Sequence, residues 1–205
     1  MSVSRVLLVG TTALAAIGMV AACSSGGSPA GTGPSSAAST AASAGSPGGN
    51  SGAPHVSAPL NVDRINANPC DALSADQIDR LGMVGPGRPS RDSIGTMCQW
   101  TSASYKTNTM SISLITANDL GLGNIYNKKS EQAYFEPTTI DGYPAVYASQ
   151  PDDRSTGDCV LAVGLTDQRM VLVQAQLGDG LNRSNPCPVN ERTAKAMIEH
   201  LKGAA

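Results

Sequence analysis

The stretch CVLAVGLTDQRMVLVQAQL at residues 159–177 decides the fold of this chain. It contains two apolar runs of strand length, residues 159–166 and 170–177, separated by a polar turn at Asp167 and Gln168. In the first run, apolar side chains occupy odd and even positions alike, so both faces of the predicted strand are apolar. Strands of this kind lie in the middle of a sheet that is covered on both faces. We therefore predict that this pair forms the centre of the sheet.

Weaker strand patterns lie on the N-terminal side of this pair. Residues 109–116 alternate apolar and polar side chains, which is typical of a strand with one buried face. A hairpin is predicted around Asp141 and Gly142, which form a common two-residue turn. The remaining predicted strands are residues 97–102, 138–140 and 143–149. Together these patterns predict an antiparallel sheet of about five to six strands.

Helix signals flank the strands. Ser74 and Gln77 have the spacing of a capping box and Gly82 supplies a left-handed stop, so a short helix is predicted between them. The residues that follow, 85–89, are rich in Gly and Pro and are predicted to form a loop. A weak helix is predicted over residues 120–132.

The last helix has the clearest amphipathic pattern. It is predicted to follow Pro188 and to run to about Lys202. Its apolar side chains recur at the helical interval and form one buried stripe: Ala194, Met197, Ile198 and Leu201. Helices that precede and follow a set of antiparallel strands predict an α+β domain, with the helices packed on the sheet.

Four of the five cysteines lie among the strands and helices: Cys70, Cys98, Cys159 and Cys187. An even number of cysteines in an exported chain indicates two disulfides, for which three pairings are possible. We favour Cys70–Cys98 and Cys159–Cys187, because both pairs have the same separation and both would join the start of a helix to a strand. A metal site is the alternative, but the chain has no C-x-x-C pair and no histidine near these cysteines.

The fifth cysteine, Cys23, belongs to a different pattern. Residues 1–22 carry one positive residue, Arg5, ahead of an uncharged apolar run, which is the layout of a secretory signal peptide. The run ends in VAAC at residues 20–23, the order of a bacterial lipobox. We therefore predict cleavage before Cys23, a diacylglycerol on its thiol and a fatty acid such as palmitate on its new amino group. Two lipid signals of this kind bury enough methylenes for stable anchoring.

Residues 23–59 are predicted to be a disordered tether. They consist almost wholly of Ser, Gly, Ala, Thr and Pro and carry no Asp, Glu, Lys or Arg. A segment with so little to bury cannot offset the entropy of ordering its backbone. The predicted organisation is therefore a signal peptide at 1–22, a tether at 23–59 and one folded domain at 60–205.

The charge pattern excludes one class of partner. The formal net charge is −2 at pH 7, and no run of Lys or Arg occurs anywhere in the chain. The electrostatic footprint of a nucleic-acid-binding protein is therefore missing. We expect no nucleic acid among the partners.

The sequence contains no recognisable catalytic or metal-binding pattern. His55 lies in the predicted tether and His200 on the predicted solvent side of the last helix, so neither is placed to activate a nucleophile. Asp152, Asp153 and Asp158 form the densest carboxylate cluster. Such a cluster can bind Ca²⁺ weakly or act in acid–base chemistry, but it is also typical of a solvated turn, which we favour. We predict no catalytic residue, no metal and no cofactor.

A set of short motifs resembles one known family. They are PCDAL at residues 69–73, MCQW at 97–100, FEP at 135–137, DGYPAV at 141–146, DC at 158–159 and the closing Cys187. In this order they are similar to the actinobacterial lipoproteins catalogued as domain of unknown function 3558, over about residues 60–202. The resemblance implies a lipoprotein of an actinobacterial cell envelope. It implies no activity, because none is established for the family, and it adds no functional residue beyond Cys23 and the four other cysteines.

Two classes of function remain. The first is a non-enzymatic binding or accessory module, held on the extracytoplasmic face of the cell membrane by Cys23. Its partner would be an envelope protein, a lipid or a small ligand, bound through the sheet edge or the loops near residues 126–147. The alternative is an envelope-directed hydrolase whose carboxylates the sequence does not identify. A binding module predicts an apolar groove or patch, whereas an enzyme predicts convergent carboxylates or a buried polar cluster.

Overall fold

The computed structural model describes residues 51–203. The predicted signal peptide, the lipobox with Cys23 and the predicted tether up to residue 50 lie outside the described residues. Within the described part, helices pack on an antiparallel sheet, so the predicted α+β class is confirmed.

The sheet has seven strands, more than the five to six predicted. They are β1 Met83–Arg91, β2 Gly95–Ser102, β3 Thr109–Ile115, β4 Tyr134–Ile140, β5 Tyr143–Ser149, β6 Asp158–Gly164 and β7 Met170–Gln176. Their order across the sheet is β1-β2-β3-β7-β6-β5-β4. The strand pair predicted for the centre, β6 and β7, is therefore in the interior, with β7 as the middle strand.

The central strand β6 is buried on both faces, as its sequence predicts. Leu161 and Val163 belong to the main core, on the face that the C-terminal helix covers. Ala162 belongs to a second apolar cluster on the opposite face, together with Leu122 from the segment that precedes β4. Complete burial of a side chain such as leucine contributes about 1.5–3 kcal/mol. Burial on both faces of β6 therefore stabilises the packing of the sheet against α4 on one side and against the segment before β4 on the other.

Four α-helices accompany the sheet in residues 51–203. They are α1 Asp63–Ala67, α2 Ala75–Arg80, α3 Gly123–Asn127 and α4 Cys187–Gly203. The predicted capping box of α2 is present: the Ser74 hydroxyl accepts from the Gln77 amide, and the Gln77 side chain accepts from the Ser74 amide. The chain leaves α2 at Gly82 with φ of +70°, which is the predicted left-handed stop.

The C-terminal helix α4 packs across the centre of the sheet, on β6 and β7. The predicted stripe of Ala194, Met197, Ile198 and Leu201 is buried. Within residues 51–203, no helix is both long enough and apolar enough to cross a membrane.

Residues 85–89 belong to β1 and do not form the predicted loop. The pairing of β1 with β2 is irregular between Val84 and Arg88, so the glycines and prolines interrupt the ladder without ending the strand. This is possible because β1 is an edge strand, in which a proline need not donate to a neighbour. The opposite edge strand, β4, also contains a proline, Pro137. Prolines on both edges oppose pairing with a further strand.

The weak helix predicted over residues 120–132 is much shorter than expected. It consists of the single turn α3 and a 3-10 turn at Lys129–Glu131. Leu122 is buried beneath the first turn, but the side chains of residues 127–131 are exposed. Because a short helix needs tertiary packing to hold it, the exposed part does not continue as an α-helix.

Residues 51–59 pack on the domain, which corrects the predicted end of the tether at residue 59. Val56 is buried, and its backbone amide donates to the Asp167 carboxylate at 2.9 Å. Nearby, the Leu60 amide donates to the Leu165 carbonyl. Val56 packs over Gly164, which has no side chain to exclude it. One apolar residue in a polar segment is a weak signal in the sequence, and only the tertiary contact shows its role.

Both disulfides have the pairing that we favoured. Cys70 is joined to Cys98, and Cys159 is joined to Cys187, each across a sequence separation of 28. The first ties the 3-10 turn Pro69–Ala72 to β2, and the second ties the start of α4 to β6. In the chain-entropy account, closing a loop of this size contributes roughly 3–4 kcal/mol.

Candidate functional site

The antiparallel strands give the sheet two distinct ends. At one, the β6–β7 turn meets the N-terminal segment, residues 51–60; we call this the turn end. At the other, the loop between β2 and β3 meets the loop between β7 and α4; we call this the pocket end. The candidate site lies at the pocket end.

A pocket of about 190 Å³ opens between these two loops. Apolar side chains contribute much of its lining: Leu81, Met83, Leu177, Leu181 and Val189. The polar lining includes Tyr105, Asn108, Asp179, Asn182 and Arg192. A pocket of this volume has room for several waters or for a small organic molecule.

Hydrogen bonds from one buried side chain hold the walls of the pocket in place. The amide group of Asn108 donates to the Asp179 carbonyl at 2.9 Å, and its oxygen accepts from the Asp179 backbone amide at 2.9 Å. The Thr107 hydroxyl donates to the Asp179 carboxylate at 2.6 Å. Two loops that are 71 residues apart in the sequence are thus joined by direct hydrogen bonds. A pocket built in this way is preformed, as small-molecule sites usually are.

The rim of the pocket presents apolar side chains to solvent. Leu181 is 98% exposed and Tyr105 is 44% exposed. The Tyr105 ring lies against Gly180, where a methyl group would come within 2.9 Å of its Cε2 atom. A larger residue at position 180 would therefore displace the ring from the rim. An isolated exposed leucine is ordinary, but a leucine and a tyrosine on the rim of one pocket form an apolar edge.

The lining of the pocket includes one cationic side chain, that of Arg192. The Arg192 side chain is exposed and makes neither an ion pair nor a hydrogen bond with any residue from 51 to 203. The acidic group of the pocket, Asp179, already accepts a hydrogen bond from Thr107. The guanidinium of Arg192 therefore remains able to bind an anion from solution.

The family of this chain is shown by comparison with known proteins. The family model described as a protein of unknown function, DUF3558, matches residues 18–200. The chain belongs to the DUF3558 family. No curated protein and no solved structure matches it. The DUF3558 match covers every strand of the sheet, both disulfides and all the residues of the pocket.

Neither histidine of this DUF3558 protein faces a nucleophile among the described residues. His55 Nδ1 lies 2.7 Å from the Asp167 carboxylate at the turn end, so the residue joins the N-terminal segment to the sheet. His200 is not on the solvent side as predicted. It is half-buried, and its Nε2 atom is buried without a hydrogen-bond partner in residues 51–203. The helical pattern missed this because His200 lies at the border of the buried stripe of α4.

The three aspartates of the predicted cluster point to different partners. Asp152 accepts from the Arg154 guanidinium at 2.7 Å, and Asp158 accepts from the side chains of Gln174 and Gln176. The Asp153 carboxylate has no side-chain partner in the described chain, and its backbone carbonyl accepts from Thr156. No cluster of three metal-binding side chains occurs in residues 51–203. Asp152 and Asp153 thus lie in an exposed turn that the Asp152–Arg154 ion pair holds. Asp158 begins β6.

Arg154 organises this turn through several partners. Its guanidinium lies 4.0 Å from the centre of the Tyr134 ring and also donates to Glu136 at 2.8 Å. The hydrogen bond from Arg154 lowers the pKa of Asp152 below its usual value. An arginine so fully engaged is a structural clamp for the loop before β6.

Tyr147 on β5, which lines a cleft beside Cys187 of the second disulfide, has a raised pKa. Burial, reinforced by the carboxylates of Glu191 and Glu136, raises the pKa of Tyr147 to about 12. The phenol is therefore protonated near neutral pH. It can donate a hydrogen bond but cannot act as a base.

Sequence reasoning missed the pocket. The sequence pattern that comes closest to indicating it is the Gly178-Asp179-Gly180 triplet, part of which lines the pocket beside Tyr105. The aromatic residues near 126–147, where we expected a binding surface, largely contact their neighbours. Tyr126 packs edge-on against Phe135 with ring centres 4.9 Å apart, and Lys129 lies over the same ring.

Proposed function

We propose that this DUF3558 protein is an exported lipoprotein of an actinobacterial envelope, anchored by Cys23 on the outer face of the cell membrane. We further propose that its domain is a non-enzymatic binding or accessory module. The partner is an envelope protein or a small ligand that binds at the pocket end of the sheet.

Three features support the anchored location. The leader at residues 1–22 ends in a lipobox pattern. The domain contains two disulfides, which persist in oxidising compartments outside the cytoplasm. The family match begins at residue 18, inside the apolar leader, so the family model includes the lipobox region together with the domain.

The main support for the binding role is that the N-terminal segment and the pocket lie at opposite ends of the sheet. The chain enters the domain through Val56 and Leu60 at the turn end. The pocket lies at the other end of strands about seven residues long. Such a strand spans roughly 20 Å. A domain held from its N-terminal side would thus present the pocket away from its point of attachment.

The anchor is tested by partitioning of the full chain between water and a nonionic detergent phase. We expect wild type in the detergent phase and Cys23→Ala in water. The matched control, Ser24→Ala, alters the neighbouring residue and leaves the lipobox intact, so it should partition as wild type does. Retention of Cys23→Ala in the detergent phase would refute the anchor.

The binding role is tested by placing a photo-crosslinking amino acid at Leu181 in the full chain within the native envelope. Gln168, an exposed residue of the β6–β7 turn, is the control position. We expect a discrete adduct from position 181 and none from position 168. Equal labelling from both positions would contradict a partner site at the pocket end.

Turnover of cell-wall polymers that Asp153→Ala abolishes would contradict a non-enzymatic role.

A further inference from the structure

We propose that the pocket between the β2–β3 loop and the β7–α4 loop binds a small amphiphile with one carboxylate and a short apolar body. This inference rests on the proposed binding function and specifies its ligand class. The carboxylate pairs with Arg192, and the apolar body lies against Leu181 and Tyr105.

The charge preference follows from the two ionic groups of the pocket. Asp179 is already engaged, because its carboxylate accepts from Thr107 and its backbone is paired with Asn108. Arg192 has no partner of either kind in residues 51–203. An arginine presents a planar fork of donors that matches the two oxygens of a carboxylate. The unoccupied donors of Arg192 therefore favour an anionic group on the side of the pocket that this arginine lines.

The apolar preference follows from the remaining lining. Leu81, Met83 and Val189 contribute apolar surface to the pocket, and Leu181 adds an almost completely exposed side chain at its rim. Covering such surface with a ligand removes it from water, which is favourable in proportion to the area covered. A polar ion such as free phosphate would leave this surface wet.

The size preference follows from the volume of about 190 Å³ and from the fixed walls. Asn108 is buried and holds the β7–α4 loop at two backbone atoms, so moving these two loops apart would break both hydrogen bonds. The ligand is therefore a molecule of few heavy atoms or one short end of a larger amphiphile.

The test uses 3-methylbutanoate, with its neutral and cationic isosteres 3-methylbutanamide and 3-methylbutylamine as the matched probes. Each is titrated into the isotopically labelled full chain in a nonionic detergent, and the backbone amides of residues 178–181 are followed by NMR. We expect saturable shifts with the acid, at a dissociation constant about threefold or more below that of the amide, because an exposed ion pair contributes a factor of this order. The amine should bind more weakly than the amide.

Three variants separate the contributions. Arg192→Gln should make the acid and the amide bind equally, whereas Leu181→Ala should weaken both. Arg88→Gln is the control, because Arg88 is also an exposed arginine and lies on β1 outside the pocket. All three positions are exposed, so we expect each variant to fold, with Trp100 fluorescence as the check.

Several outcomes overturn the proposal: no saturable shift with the acid, equal binding of the three probes, or an acid preference that survives Arg192→Gln. These outcomes are distinct from failure of the proposed function. An unlipidated Cys23 with intact binding of the acid would refute the anchor alone, whereas lipidated protein that ignores the acid would refute only this ligand class.

Discussion

A fully buried asparagine joins the C-terminal helix to the centre of the sheet. Asn190 is fully buried, and its amide group donates to the carbonyls of Cys159 at 2.7 Å and Val173 at 3.0 Å. These carbonyls belong to neighbouring central strands, β6 and β7. One side chain of α4 thus fixes the helix relative to both strands, and a helical pattern read for apolar residues alone does not reveal it.

We predict that Asn190→Ala lowers the free energy of unfolding by about 2–3 kcal/mol, because two buried hydrogen bonds are lost and a void remains. Denaturation followed by the fluorescence of Trp100, the single tryptophan of the chain, measures the change. Asn127→Ala, at an exposed position, should alter stability by less than about 0.5 kcal/mol. Equal effects of the two substitutions would show that the Asn190 bonds do not contribute.

A second residue-scale prediction concerns the pKa of Asp152. Its carboxyl is exposed, and the hydrogen bond from Arg154 is the main cause of its lowered pKa. Because this pKa is lower in the folded than in the unfolded chain, the pair stabilises the fold above the unfolded pKa. That contribution is lost as the pH falls through the folded pKa.

Arg154→Gln should raise the pKa of Asp152 toward its usual value, and carboxyl carbon NMR over an acid titration measures the shift. Arg183→Gln is the control, since Arg183 does not contact Asp152 in an ion pair or hydrogen bond. Identical titration of Asp152 in wild type and Arg154→Gln would refute the assignment of the shift to Arg154.

At the scale of elements, the N-terminal segment is held by a single turn. Asp167 in the β6–β7 turn accepts from the Val56 amide and lies 2.7 Å from His55, so one carboxylate makes two polar contacts with the segment. The Leu60 amide adds a third, to the Leu165 carbonyl. The buried side chain of Val56 adds the apolar contact. The segment that leads from the predicted anchor is thus fixed to the sheet directly.

Asp167→Ala should release this segment, because Val56 loses the acceptor of its amide and His55 loses its partner. We expect faster hydrogen exchange at the amides of Val56 and Leu60 by mass spectrometry, with exchange in the strands unchanged. Asp153→Ala is the matched control, since that carboxylate has no side-chain partner in the described chain. Unchanged exchange at Val56 in Asp167→Ala would show that the apolar contact alone holds the segment.

The helices and turns were predicted correctly where a pattern of a few adjacent residues agreed with the packing of that element in the fold. The capping box of α2 and the Asp141-Gly142 turn both specify backbone geometry through a few adjacent residues, and both are present. The loop predicted at residues 85–89 was wrong, because glycines and prolines exclude a central strand but not an edge strand. Whether a strand lies at the edge depends on the order of the whole sheet, which local sequence does not contain.

At the scale of the whole molecule, the fold class follows from the apolar central pair, but the pocket does not. Its walls come from Tyr105, Asp179 and Arg192, which lie in three separate parts of the sequence. Each of these residues is an ordinary polar or aromatic surface residue until the sheet brings them together. The binding surface that we expected near residues 126–147 stays a prediction; Tyr126 and Phe135 in this region pack against each other.

The proposed anchored location rests on the predicted leader, the disulfides and the span of the family match, and the mass of one peptide tests it most directly. The first Lys or Arg after the leader is Arg64, so trypsin should release the mature N-terminus as a peptide of residues 23–64. We predict that this peptide from the native chain begins at Cys23 and carries the added mass of a diacylglycerol. A peptide that begins elsewhere, or that begins at Cys23 with a free thiol, would contradict the account.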